Sequence, residues 1–212
     1  MLQNLALKDF IDELGSKSPA PGGGSIAALS ASLASALASM VFNLTIGKKE
    51  YMEYDESLKE KVDDSFNEVN LYKVEFLELM ERDTNAFLSL MEAFKMPKTT
   101  EDEIRSRKEK LAEGNRAALE IPLQVAEKAY KIYDHIYTAV QYGNKNAVSD
   151  AGVAASLVET AIEGAILNVK INIMGLKDEE RKEELKNKCK YLLENSKKKK
   201  EEIMRIIESK LV

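Results

Sequence analysis

Cysteine and histidine are almost missing from this chain of 212 residues, which holds one of each, Cys189 and His135. A lone thiol cannot close a disulfide within the chain, and one His with one Cys cannot assemble a zinc site of the usual type. A Ser-His-Asp or Cys-His arrangement would have to run through His135. Its neighbours Lys131, Tyr133, Asp134, Ile136 and Tyr137 read as an ordinary helix surface or margin. Tryptophan is absent, with four prolines and ten glycines, so long runs of helix formers are expected. Excess positive charge is lacking too. The formal net charge of −5 argues against a nucleic-acid partner, since such binding rests on clustered basic residues. Carboxylates, amides, lysines and backbone dipoles remain to carry any chemistry, and no metal is expected.

What is present suffices for one core. Hydrophobic residues make up 44% and charged residues 32% of the chain, and the length fits a single domain over residues 1–212. Met1 to Leu14 has the spacing of an amphipathic helix rather than a signal peptide. With a single Cys, a reducing cytoplasm is the expected location.

Helix punctuation divides the chain. A first helix is expected over about 3–14, ending at Gly15. The loop Ser16-Lys17-Ser18-Pro19-Ala20-Pro21-Gly22-Gly23-Gly24 then holds off a helix until Ser25, a plausible N-cap region. A second helix runs to about Ile46 and stops at Gly47. A third starts near Glu53 or Asp55 and reaches Phe94, with Met96-Pro97 breaking it. Thr100 with Glu103 is a capping-box pattern opening the fourth. Pro122 marks another start, and that helix reaches about Val140 before Gly143. A sixth helix, capped by Ser149 or Asp150, ends at Gly175, and a seventh begins near Asp178. No strand alternation is visible. The expected fold is an all-α, antiparallel helical bundle with long helices.

Ile26–Ile46 carries no charge and is long enough to span a membrane. Its many Ala and Ser residues suit a crowded bundle centre or a dimer interface better, so no membrane partner is expected. Three segments look functional. Pro21, Gly22, Gly23, Gly24 and Ser25 offer unobstructed backbone N–H groups at a helix start, which suits an anionic or electron-rich group, against a bare connector. Gly143 to Gly152 gathers Asn144 and Asp150 around another helix start. Asn168 and Asn172 share a face and either bridge a buried junction or meet a ligand. Third, Asp83 is flanked by Met80, Phe87 and Leu88, and is drawn to the core or solvated. The run Lys197–Lys200 reads as a solvated face.

Together these segments resemble one family. Ser18-Pro19-Ala20-Pro21-Gly22-Gly23-Gly24-Ser25 leads into an Ala-rich helix ending Asn43-Leu44-Thr45-Ile46-Gly47-Lys48-Lys49. This resembles the opening of the formiminotetrahydrofolate cyclodeaminase and methenyltetrahydrofolate cyclohydrolase family. The likeness continues through Asp83-Thr84-Asn85-Ala86-Phe87, Met96-Pro97-Lys98, Ile121-Pro122-Leu123, Gly143-Asn144, Ser149-Asp150 and Asn168-Val169-Lys170-Ile171-Asn172.

The resemblance implies an all-α homodimer that binds a tetrahydrofolate derivative as substrate, without a metal or tightly bound cofactor. The family converts N5-formiminotetrahydrofolate to N5,N10-methenyltetrahydrofolate with release of ammonia, and other members hydrolyse the methenyl form to N10-formyltetrahydrofolate. Larger relatives carry a fused formiminotransferase, for which this chain is too short. Asp150 is expected as the general acid/base, with Asp83 second, and Lys48 or Lys49 either assists proton transfer, a role given first to Lys49, or holds the substrate's glutamate carboxylate. Lys48, Asn144, Asn168, Asn172 and the glycine loop are expected at the substrate. Where relatives carry arginines in place of Lys48-Lys49, charge matters more than a titratable amine. The competing reading is a non-catalytic helical interaction protein, for which a buried set of Asp150, Asn168 and Asn172 would be a poor choice.

Overall fold

The computed structural model describes residues 1–211. It contains α1 (Leu7–Leu14), α2 (Gly23–Asn43), the single turn α3 (Lys49–Met52), α4 (Glu56–Lys95), α5 (Glu101–Tyr142), α6 (Val148–Ile173) and α7 (Glu179–Leu211), with no strand among the described residues. The long helices alternate in direction because each connection is short. Helices α2, α4, α5 and α6 close a four-membered ring, and α7 lies outside in the groove of α5 and α6.

Small side chains let α2 sit close to α4 and α6. Ala28, Ala31, Ala34 and Ala38 are fully buried, and the hydroxyls of Ser30 and Ser35 donate to backbone carbonyls one turn back. Ser32 Oγ donates to the Lys73 carbonyl of α4 at 2.7 Å. Buried hydroxyls thus satisfy themselves without needing water. α2 and the stretch reaching α6 are long and apolar enough to cross a membrane by length and composition. Packing against α4 and α6 buries most of α2.

Several boundaries differ from the sequence expectation. The first helix does not run from residue 3. A turn of 3-10 helix over Leu2–Asn4 precedes α1, with Leu5 extended between them. α2 begins at Gly23, with Gly22 as N-cap, so two of the three glycines are helical. The expected break at Pro122 does not occur either, and α5 runs unbroken through it for 42 residues. Proline lacks the N–H that would donate to the carbonyl four residues back, at Ala118. Here Asn172 Nδ2 of α6 donates to that carbonyl at 2.8 Å instead. A side chain from the neighbouring helix supplies the bond that proline removes.

Other expectations are met. The Thr100 hydroxyl accepts from the Glu103 N–H, and the Glu103 carboxylate accepts from the Thr100 N–H at 2.9 Å. Lys199 and Lys200, by contrast, are not simply solvated. They fold back onto Asp134 of α5 and Glu159 of α6. Lys210 Nζ donates to the Val140 carbonyl at 2.6 Å, so α7 caps the C-terminus of α5 with a cation, the favoured sign there.

Candidate active site

α4 and α5 are each about twice as long as α2, so their hairpin overshoots the start of α2. The step this leaves is a cleft of about 360 Å³. Its floor is the first turn of α2 at Gly22, Gly23 and Gly24, and its sides are Asp83, Phe87 and Leu90 of α4, Ala118 of α5, and Asn168, Ile171 and Asn172 of α6. That volume lies near the lower end of ligand pockets. It suits the reacting head of a ligand rather than a long tail.

Among the described residues, Asp83 is the only charged side chain on the cleft wall. Its carboxylate accepts from the Ser25 hydroxyl at 2.8 Å and from the Ser25 backbone N–H. Since that hydroxyl gives its one proton to Asp83, Thr84 Oγ1, 2.9 Å away, is the donor in the Ser25–Thr84 bond. Desolvation is the largest influence and pushes the Asp83 pKa above the ordinary carboxylate range, while both Ser25 bonds pull it down. Glycine at position 24 is what lets the carboxylate come so near. A Cβ there would lie 2.7 Å from Oδ2 and 2.8 Å from Cγ. Because Gly22 has no side chain to cap with and Asp83 takes the Ser25 N–H, the N–H groups of Gly23 and Gly24 at the positive end of the α2 dipole are left for whatever occupies the cleft.

The two asparagines share the face that their spacing implied. Asn168 Nδ2 donates to the Gly164 carbonyl at 2.9 Å. Asn172 Nδ2 donates to the carbonyls of Ala118 and Asn168, both at 2.8 Å. So Asn172 bridges a helix junction while lining the cleft, and the side-chain oxygens of both remain as acceptors.

The other expected site residues stand elsewhere. Lys48, Lys49 and Asn144 line a second cleft of about 410 Å³ together with Tyr51, Lys145 and Asn146. It lies past the C-terminus of α2, whose 21 residues put roughly 30 Å between the two clefts. Asn144 spends its side chain on the backbone there. Its Nδ2 donates to the Leu44 carbonyl at 3.1 Å, and its Oδ1 accepts from the Asn146 N–H at 2.9 Å. Asp150 belongs to that same end, in the first turn of α6, about 27 Å along the helix from Asn168. A single chain therefore brings Pro21 to Ser25, Asp83, Asn168 and Asn172 to one end, and Lys48, Lys49, Asn144 and Asp150 to the other.

Some of what shapes the first cleft escaped the sequence reading. Phe87, Leu90 and Ile171 form its apolar wall, and Thr84 buttresses Ser25. The one available signal was Pro122, because a proline inside a helical pattern orphans a carbonyl and requires a donor nearby. His135 lines neither of the two clefts. It is half-buried against Tyr72 with ring centroids 6.0 Å apart, and burial lowers its pKa.

The family model of the formiminotransferase-cyclodeaminase domain matches residues 6–191. The chain belongs to that family. It is similar to the methenyltetrahydrofolate cyclohydrolase of Methylorubrum extorquens, with 36% identity over 189 residues, covering 87% of this chain and 89% of that one. It is also similar to the formimidoyltransferase-cyclodeaminase of Rattus norvegicus, at 34% over 196 residues. There the match covers 92% of this chain and 36% of the relative, so this chain spans about a third of the larger protein. Among solved structures, the formiminotetrahydrofolate cyclodeaminase of Thermotoga maritima aligns with a TM-score of 0.77 and 26% identity, covering 100% of this chain and 98% of that one. These relationships establish the all-α cyclodeaminase-like fold.

Proposed function

We propose that this chain is a folate one-carbon enzyme that converts N5-formiminotetrahydrofolate to N5,N10-methenyltetrahydrofolate and releases ammonia. The observation that carries the reading is Asp83, a desolvated carboxylate at a glycine-built helix start in a cleft otherwise free of charge. N10 attacks the protonated formimino carbon and gives up its proton. The amino group accepts a proton and leaves as ammonia, and the N5–C–N10 bridge keeps the positive charge. A carboxylate with a raised pKa can take the first proton and deliver the second, and its negative form stabilises the cationic carbon. Asn168 and Asn172 offer acceptors to the ring N–H groups of a pterin. Asp83 takes this role ahead of Asp150, which stands at the far end of α6.

A second reading has specific support. The Methylorubrum cyclohydrolase matches over nearly the whole of both chains, so hydrolysis of the methenyl bridge to N10-formyltetrahydrofolate is the alternative. There Asp83 would take a proton from the attacking water, and N5 would leave protonated. A purely structural bundle is disfavoured, because a desolvated carboxylate costs stability that a structural role would not repay. The proposal includes a cytoplasmic homodimer working without a metal.

The test follows the methenyl chromophore with chelator-treated protein, starting separately from each folate. Faster appearance with ammonia release supports the cyclodeaminase, and accelerated loss supports the cyclohydrolase. Asp83→Asn should lower either rate about 10²- to 10⁴-fold with the helical signal unchanged. No turnover of either folate by the wild-type chain would overturn the reading.

A further inference from the structure

The wall of the Asp83 cleft continues past its rim. On α4 the lining residues Asp83, Phe87 and Leu90 follow steps of four and three, and the next step of four reaches Phe94, which is 50% exposed. On α5 the face that carries Ala118 runs outward through Asn115, Leu111, Lys108 and Ile104, in alternating steps of three and four. There, toward the tip of the α4–α5 hairpin, lies a separate depression of about 390 Å³ lined by Lys98, Ile104, Arg107, Lys108 and Leu111.

Its chemistry is the reverse of the Asp83 cleft. Three of its lining residues are cations, none is an acid, and the other two are apolar. Two acids close by in sequence are engaged elsewhere. Glu103 accepts from the N–H groups of Thr99 and Thr100, both at 2.9 Å, and Asp102 pairs with Arg105 at 2.5 Å. Among the described residues no ion pair uses Lys98, Arg107 or Lys108. Arg107 is half-tied: its Nη2 donates to the Phe94 carbonyl at 3.4 Å, while its Nε is buried without an acceptor. Buried N–H groups nearly always find a partner, so this one calls for an acceptor that the chain does not supply.

We propose that this depression is the subsite for a carboxylate carried on an apolar stem, and that stem and carboxylate are the aminobenzoyl ring and glutamyl group of the folate substrate. The assignment of that ligand rests on the function proposed above. The Asp83 cleft has room for the reacting head alone, so the tail must leave it. Arg107 lies eleven residues before Ala118, about 16 Å further out along α5, a span that an aminobenzoyl ring and an extended glutamyl group cover with the help of the long arginine side chain. A guanidinium offers a two-pronged donor edge to a carboxylate, and the buried Nε supplies one prong. Lys98 and Lys108 add charge, and Ile104 and Phe94 give the ring an apolar surface. A contact made equally before and during the chemical step acts on KM and leaves kcat alone.

Binding and turnover are tested apart. Calorimetric titration uses N5-formyltetrahydrofolate, a stable isostere of the formimino compound, and N5-formyltetrahydropteroate, which lacks the glutamyl group. The wild-type chain should hold the first about tenfold more tightly than the second. A chain carrying Arg107→Ala and Lys108→Ala should hold the two alike. A second chain, carrying Lys98→Ser and Lys108→Ser, removes charge without touching the Arg107–Phe94 bond, and should lose part of the preference with its helical signal unchanged. Equal affinity of the wild-type chain for the two ligands, or binding of neither, would overturn the subsite. In turnover, the Arg107→Ala, Lys108→Ala chain should show a KM raised about tenfold with kcat nearly unchanged; an unchanged KM would also overturn it. A wild-type chain that prefers the glutamyl ligand yet turns over neither folate would keep the subsite and remove the proposed reaction.

Discussion

Asp83 is held between two opposing influences, and a single hydroxyl sets their balance. Desolvation raises its pKa and the Ser25 bonds lower it. Ser25→Ala removes the hydroxyl bond, so the carboxylate becomes harder to form. The acidic limb of kcat/KM should therefore move to higher pH, while a limb that stays put would detach Ser25 from the chemistry. The same balance has a stability sign. A carboxyl whose folded pKa lies above its unfolded value contributes stability below the unfolded pKa, about 3.9, and loses it as pH rises through the folded pKa. At neutral pH Asp83 is thus a burden on the fold. Asp83→Asn, which keeps an acceptor for Ser25, should raise Tm at pH 7 while turnover collapses. Thermal melts at pH 7 and pH 4 check this, and the gain should shrink at the lower pH.

At the scale of elements, α5 and α6 are joined by a repair. The Ala118 carbonyl, deprived of its donor by Pro122, takes one from Asn172. Asn172→Leu leaves that carbonyl unpaired and should cost roughly 1–3 kcal/mol. Pro122→Ala restores a backbone N–H, so in its presence Asn172→Leu should cost markedly less. Denaturant melts of the four proteins give the coupling directly, and simple additivity would refute the repair. The helices themselves were largely legible in sequence, because the capping box at Thr100 and the glycines at 15, 47, 143 and 175 are local signals. Pro122 was misread as a helix start because its compensation comes from residue 172, fifty positions away. The glycine loop, Asp83 and the asparagines were legible as candidates, but which end of the bundle each occupies was not drawn out. The signal existed: α2 advances 1.5 Å per residue, so a glycine start and a lysine finish cannot meet within one chain. Asp83 itself could be placed only through Ser25, a contact across 58 residues that no local pattern reveals.

For the whole molecule, the proposed homodimer would rest on the uncharged outer face of α2, an apolar stripe from Ile26 to Leu44. Leu33→Glu puts a carboxylate near the middle of the stripe, where two copies would bury two like charges. Such a change should weaken self-association about 100-fold or more, with the helical signal intact, and turnover should fall with dimer content. Light scattering against concentration reads the first effect and assays over the same range read the second; a stable dimer in the variant would place the contact elsewhere. The Pro122–Asn172 suture also bears on the history of the chain. A lineage that acquired proline at position 122 before asparagine at 172 would have passed through a form with an orphaned carbonyl, whereas the reverse order passes only through sound intermediates. Asparagine first, proline second is the open route, and while the proline stays in place the asparagine cannot drift alone.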